Sequence, residues 1–109
     1  MAEKKINWQE LIESLKKSDP RKVILFGSYS KNNASMNSDI DIFIIKDIDT
    51  NDIRTEKLLI KKQLRDFVLE NEVSIDIFID NSENIQKRIE MGDLFYKDIM
   101  QKGKVIYAL

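Results

Sequence analysis

The chain has no cysteine and no histidine. Disulfides, thiolate zinc sites, Cys or His nucleophiles and histidine general bases are excluded together. Any bound metal must then be held by oxygen ligands, which favours magnesium, calcium or manganese. No apolar run approaches the ~20 residues a membrane span needs. The opening residues, MAEKKINWQELIESL, lack the uncharged apolar stretch of a secretory leader, so a cytoplasmic location is the expectation. Neither sign of charge dominates: 18 Lys and Arg stand against 19 Asp and Glu, a formal net charge of -1. Proteins that grip nucleic acid through its backbone are usually basic or carry a basic face. Stand-alone nucleic-acid binding is therefore not expected.

What is present is a chain of 109 residues, 42% of them hydrophobic, enough for one domain spanning 1–109 with a real core. Trp8, Leu11, Ile12 and Leu15 share the spacing of one helical face, and the spacing predicts a helix over 6–17, stopped at Pro20. Lys22–Phe26 reads as a first strand and Asp39–Lys46 as a second. In the second, Ile40, Ile42 and Ile44 lie on one face, and Asp39, Asp41, Phe43 and Ile45 on the other. Thr50 or Asn51 is a candidate cap for one long helix carrying Ile53, Ile60, Leu64, Phe67 and Val68 to about Glu70. Val73–Ile79 is a third strand with Ser74, Asp76 and Phe78 on its polar side. Asn81-Ser82 caps a helix through Ile85 and Ile89, Asp93 caps another over 94–101, and 104–107 is a last short strand. Such an order describes an α/β (α+β) domain, a mixed β-sheet with helices packed against it, because the link from Phe26 to Asp39 lacks a crossover helix.

The chemistry gathers in Val23–Ile45, VILFGSYSKNNASMNSDIDIFII. Gly27-Ser28 ends one apolar run, and ten residues later Asp39 and Asp41 open another. A glycine lets backbone approach phosphate oxygens closely, and Ser28 adds a hydroxyl and an amide. A helical turn starting at Ser28 would favour an anion there, and Lys31 can reach a phosphate as a point charge. If the third strand pairs beside the second, Asp76 joins Asp39 and Asp41. Three close carboxylates repel one another, and a pair of Mg²⁺ ions resolves the conflict in the geometry of in-line phosphoryl or nucleotidyl transfer. The bland alternatives are a solvent-exposed strand end for Asp39 and Asp41, an edge-strand position for Asp76, a helix cap for Ser28 and a surface lysine for Lys31. Phe43 and Phe78 read as core rather than as a base-stacking platform.

Gly-Ser, ten residues, then Asp-x-Asp resembles the signature of the nucleotidyltransferase superfamily that includes DNA polymerase beta. The whole chain, with Asp76 on a third strand and a GKVIY ending, is similar to its minimal nucleotidyltransferase (MNT) domains. The resemblance implies the nucleotidyltransferase fold. It also implies that Gly27 and Ser28 bind the β- and γ-phosphates of ATP, and that Asp39, Asp41 and Asp76 hold Mg²⁺ (or Mn²⁺) and perform catalysis. It further implies an antitoxin that transfers AMP from ATP to a tyrosine of a HEPN-type toxin encoded next door. Asn32 replaces a glycine frequent in that family, and asparagine tolerates the left-handed backbone the turn needs. The competing function is an antitoxin acting mainly by binding its toxin. An aminoglycoside-type enzyme would need a further acceptor-binding domain, and the strand position of the acids does not suit a haloacid-dehalogenase-type phosphatase.

Overall fold

In the computed structural model, which describes residues 5–35 and 37–109, helix α1 is Trp8–Lys16 and strand β1 is Lys22–Phe26. A single 3-10 turn, Ser28–Lys31, leads through a loop to β2, Ile40–Ile45. A second 3-10 turn, Thr50–Asp52, precedes α2 (Ile53–Gln63) and α3 (Arg65–Asn71), and these lead to β3, Ile75–Asp80. Helices α4 (Ser82–Glu90) and α5 (Leu94–Lys102) and strand β4 (Lys104–Ala108) complete the chain.

The sheet order is β3-β2-β1-β4. β1 runs antiparallel to β2 and to β4, whereas β2 and β3 are parallel, joined across one face by α2 and α3. The mixed sheet expected from the sequence is therefore observed. Parallel neighbours need a long crossover, and the segment between β2 and β3 supplies it with α2 and α3. The β2–β3 register pairs like with like, Asp41 with Asp76, Ile42 with Ile77 and Phe43 with Phe78.

The two faces of the sheet are covered differently. Val23, Leu25, Ile40, Ile42, Ile44, Ile77 and Ile79 pack with Leu11 and Leu15 of α1 and with Ile60, Leu64 and Phe67. Ile24, Phe43 and Ile45 face the other way, onto Ile85 of α4 and Ile99 of α5. β2 is covered on both sides, so its interior residues Ile42 to Ile45 are all buried and only Asp41 keeps contact with water.

Three sequence expectations need correction. The single long helix is two, because the backbone at Leu64 (φ -90°, ψ 1°) leaves helical geometry while hydrogen bonds to Ile60 and from Val68 carry the chain through. The bend keeps Ile60, Leu64 and Phe67 in one core, which a uniform apolar period cannot announce. Neither Thr50 nor Asn51 caps α2: both lie in the 3-10 turn, which Asp49 caps by accepting the Asn51 N–H, and the residue before α2 is Asp52, whose side chain makes no capping hydrogen bond. Strand β3 begins at Ile75 and runs one residue past Ile79, so Asp80 belongs to the sheet. By contrast Asn81 and Asp93 cap α4 and α5 as expected, each accepting a backbone N–H three residues on. No helix among the described residues is long and apolar enough to cross a membrane.

Candidate active site

β1 ends by delivering Gly27 against Asp41. Gly27 has φ 74° and ψ -155°, a conformation closed to residues with side chains, and a Cβ there would collide with the Asp41 carboxylate. Two demands, a turn and a close approach, thus meet in one residue. The 3-10 turn begins at Ser28 as expected. Ser30 ties it down, donating from its N–H (3.2 Å) and its hydroxyl (2.7 Å) to the Gly27 carbonyl. Asn32 ends the turn in left-handed geometry, φ 56°, so it does the work expected of a glycine there. The half-buried Ser28 hydroxyl has no hydrogen-bond partner among the described residues, and Lys31 is exposed on the same turn without an ion pair among them. Tyr29 packs its ring edge-on against Trp8 at 5.7 Å, which ties the loop to α1.

Asp41 lies between two strands, with Phe26 as its partner on β1 and Asp76 as its partner on β3. Residues paired in register point to the same side of a sheet, so Asp41 and Asp76 face one another on the side that carries α4 and α5. Asp39 stands just before β2 and is exposed. Burial pushes the Asp41 carboxyl up to about 6, and the neighbouring charges of Asp76 and Asp39 add to the shift. The arrangement is a facing pair with Asp39 beside it. Among the described residues no three or more acidic side chains are drawn tightly enough together to form a finished metal cage. Asp76 is exposed on an edge strand, the position its bland alternative describes. What sets it apart is its register with Asp41.

A divalent cation suits this donor set. Carboxylate oxygens are its preferred ligands, and a cation between Asp41 and Asp76 would offset the burial and the repulsion that together raise the Asp41 carboxyl.

A family model described as Polymerase beta, Nucleotidyltransferase matches residues 9–108. The chain belongs to that family. A protein of Methanocaldococcus jannaschii named "Putative protein adenylyltransferase MJ0604" is 33% identical over 90 residues, covering 80% of this chain and 78% of the relative. The polymerase beta-type fold is also that of two solved structures. A toxin-antitoxin crystallised with AMP-PNP superposes with a TM-score of 0.57 at 19% identity, over 95% of this chain and 75% of that one. A variant of the toxin-antitoxin MntA-HpeT gives 0.54 at 17% identity, over 95% and 75%. The chain is a nucleotidyltransferase, with the mixed-sheet fold expected of one.

Two features of this nucleotidyltransferase escaped sequence reasoning. Asp80, only 3% exposed, accepts hydrogen bonds from the Tyr96 hydroxyl (2.6 Å), the Asn84 amide (2.5 Å) and the Asn81 N–H (2.8 Å). It anchors α4 and α5 to the sheet. The other feature is a group of aromatic rings, Phe26, Phe78 and Phe95, at the edge of the acidic pair. The two-residue spacing of Asp76, Phe78 and Asp80 was the available signal for a shared face.

Proposed function

We propose that the protein transfers AMP from ATP, with Mg²⁺, to a tyrosine hydroxyl of a partner protein, and that the partner is a HEPN-type toxin for which this chain is the antitoxin. The observation that carries the proposal is the facing pair Asp41–Asp76 set against a glycine loop that only glycine can form. The name of the 33% identical relative supports adenylyl transfer to protein, and the toxin-antitoxin neighbours support the partnership.

Asp39 and Asp41 would hold the metal ions together with Asp76. When bound, such ions neutralise charge on the phosphates and acidify a coordinated hydroxyl. Backbone and hydroxyl donors of Gly27 and Ser28 bind the β- and γ-phosphates, with Lys31 as a point charge at the rim. Across the sheet the order is phosphate loop, Asp41, Asp76, so the nucleophile attacks the α-phosphorus from the side opposite the departing pyrophosphate. The tyrosine oxygen forms a bond to that phosphorus as the bond to the bridging oxygen of pyrophosphate breaks. Asp76, on the nucleophile side, takes the hydroxyl proton, and pyrophosphate leaves from the loop.

The test is incubation with ATP labelled on the α-phosphate, Mg²⁺ and the product of the neighbouring gene. Label should appear on a tyrosine of that partner and disappear with Asp41→Asn. Tight binding of partner without label, with neutralisation of its toxicity unchanged by Asp41→Asn, would replace the enzyme by a binding antitoxin.

A further inference from the structure

We propose that Phe78 and Phe95, with Phe26 between them, form the platform on which the base of the substrate nucleotide stacks, and that it selects purine nucleoside triphosphates. The proposal rests on Asp41 and Asp76 being the site of nucleotidyl transfer. The three rings form a triangle: 5.6 Å from Phe26 to Phe78, 5.4 Å from Phe78 to Phe95 and 5.8 Å from Phe26 to Phe95, centroid to centroid. The triangle adjoins the acids on the same sheet face. Phe26 is the cross-strand partner of Asp41, and Phe78 follows Asp76 by two residues on β3. Side chains so placed lie roughly 5–7 Å apart at their Cβ atoms, a separation that a bound nucleoside bridges.

The rings are held firmly yet left open. Phe78 lies nearly parallel to Phe43, 6.4 Å away at 6°, and Phe43 is 1% exposed in the core. Phe95 packs against Tyr96, which Asp80 fixes in turn. Even so, Phe78 and Phe95 are 36% and 46% exposed. Lys57 reaches from α2 to stand 5.8 Å from the Phe78 centroid, and it makes no ion pair among the described residues. Aromatic surface of this size beside the acids is costly in water and rewarded once a base covers it.

Position favours the base over an aromatic acceptor group. Phe26 directly precedes Gly27, so the triangle reaches the strand that ends in the phosphate loop. A nucleotide with its phosphates at Gly27-Ser28 and its α-phosphorus at Asp41 keeps its base within reach of all three rings. Stacking reads π-surface and not a hydrogen-bonding edge, so purines are preferred to pyrimidines and adenine is separated little from guanine.

The experiment compares binding of ATP, CTP and inorganic tripolyphosphate, each with Mg²⁺, to the wild-type chain, Phe95→Leu and Phe78→Leu. Leucine keeps apolar volume and removes the ring, and thermal melts confirm folding. The expected result is ATP binding weakened on the order of tenfold in either variant, tripolyphosphate binding unchanged, and preference for ATP over CTP reduced. ATP binding equal in all three proteins would overturn the platform alone. Loss of affinity for the acceptor protein with ATP binding intact would reassign the rings to the acceptor and overturn it too. Failure of the wild type to bind either ATP or tripolyphosphate would remove the nucleotide reading and the platform with it.

Discussion

Asp76 and Asp80 stand four residues apart on the same face of one strand, and they have opposite fates. Asp80 is buried and accepts three hydrogen bonds, from Asn81, Asn84 and Tyr96. Asp76 is exposed, and what it faces is another carboxylate, Asp41. A buried charge is tolerated when every lone pair has a donor, and then it serves the structure. Two carboxylates facing each other without donors weaken the fold, and on the proposed reading a metal ion offsets that cost. Helices α4 and α5 make the difference, since they cover the Asp80 end of the face and stop short of the Asp76 end.

The comparison is broken most severely at Asp41. Asp41→Asn should lower adenylyl transfer on the order of 10³-fold, because metal-assisted charge stabilisation supplies several kcal/mol of barrier reduction. Its melting temperature should stay level or rise, since the change removes a repelling charge from a pair. Single-turnover assays with labelled ATP and a thermal melt on the same preparation check both halves. A large stability loss without a rate loss would mean that Asp41 belongs with Asp80.

Asp80→Ala is the converse. It strands the Tyr96 hydroxyl, the Asn84 amide and the Asn81 N–H, at about 1 kcal/mol or more each, so the loss is about 3 kcal/mol. For a domain of this size that lowers the melting temperature by roughly 10 °C or more. Activity per folded molecule should survive at low temperature, and denaturant titration with an active-site assay separates the two effects. Gly27→Ala comes next. The alanine must hold φ near 74° and push into the Asp41 carboxylate, so transfer should fall roughly 10–100-fold while stability falls by about 1–2 kcal/mol.

How much of this contrast can be read from the chain depends on the range of the interaction. Asp41 and Asp76 are exposed to sequence reasoning because a period of two assigns each to a face, and their apolar neighbours confirm the period. Gly27, Ser28 and the left-handed Asn32 are likewise local, set by backbone conformation within a few residues. Asp80 is not local. An acid after an apolar run looks like the first residue of a loop, and only the arrival of Tyr96, sixteen residues later, makes it interior. The bend at Leu64 is hidden for the same reason, since the apolar spacing continues through it and packing alone decides the backbone. Asp39 is intermediate: its spacing to Asp41 is plain, but the strand begins after it, which leaves it beside the facing pair.

Acidity offers a gentler way to sharpen the contrast. With its carboxyl raised from 3.8 to about 6, Asp41 binds its proton more tightly in the folded chain than in the unfolded one. That contribution to stability is full below the ordinary carboxylate range and is lost as pH rises through about 6. The metal-free chain should therefore become less stable on going from about pH 4 to about pH 7 on account of this group. Added Mg²⁺ should raise the melting temperature little at the lower pH and clearly at the higher one. In Asp41→Asn the pH dependence of the Mg²⁺ effect should flatten.

The smallest effect is at the far end of the same strand face. Tyr96→Phe removes one donor from Asp80 and leaves Asn84 and the Asn81 N–H in place, so about 1 kcal/mol should be lost. Burial and the Asp80 carboxylate hold the Tyr96 phenol above its ordinary range. The unfolded chain then ionises this tyrosine first as pH rises, and the stability it contributes below pH 10 is lost above that value. Tyr96→Phe should remove that part of the alkaline destabilisation, so the gap between wild type and variant closes as pH rises past 10 in parallel denaturant titrations. A constant gap would mean that Tyr96 acts through its ring alone. A closing gap, with transfer activity unchanged, would place the Asp80 end of the face in the structure and leave the chemistry to Asp76 and Asp41.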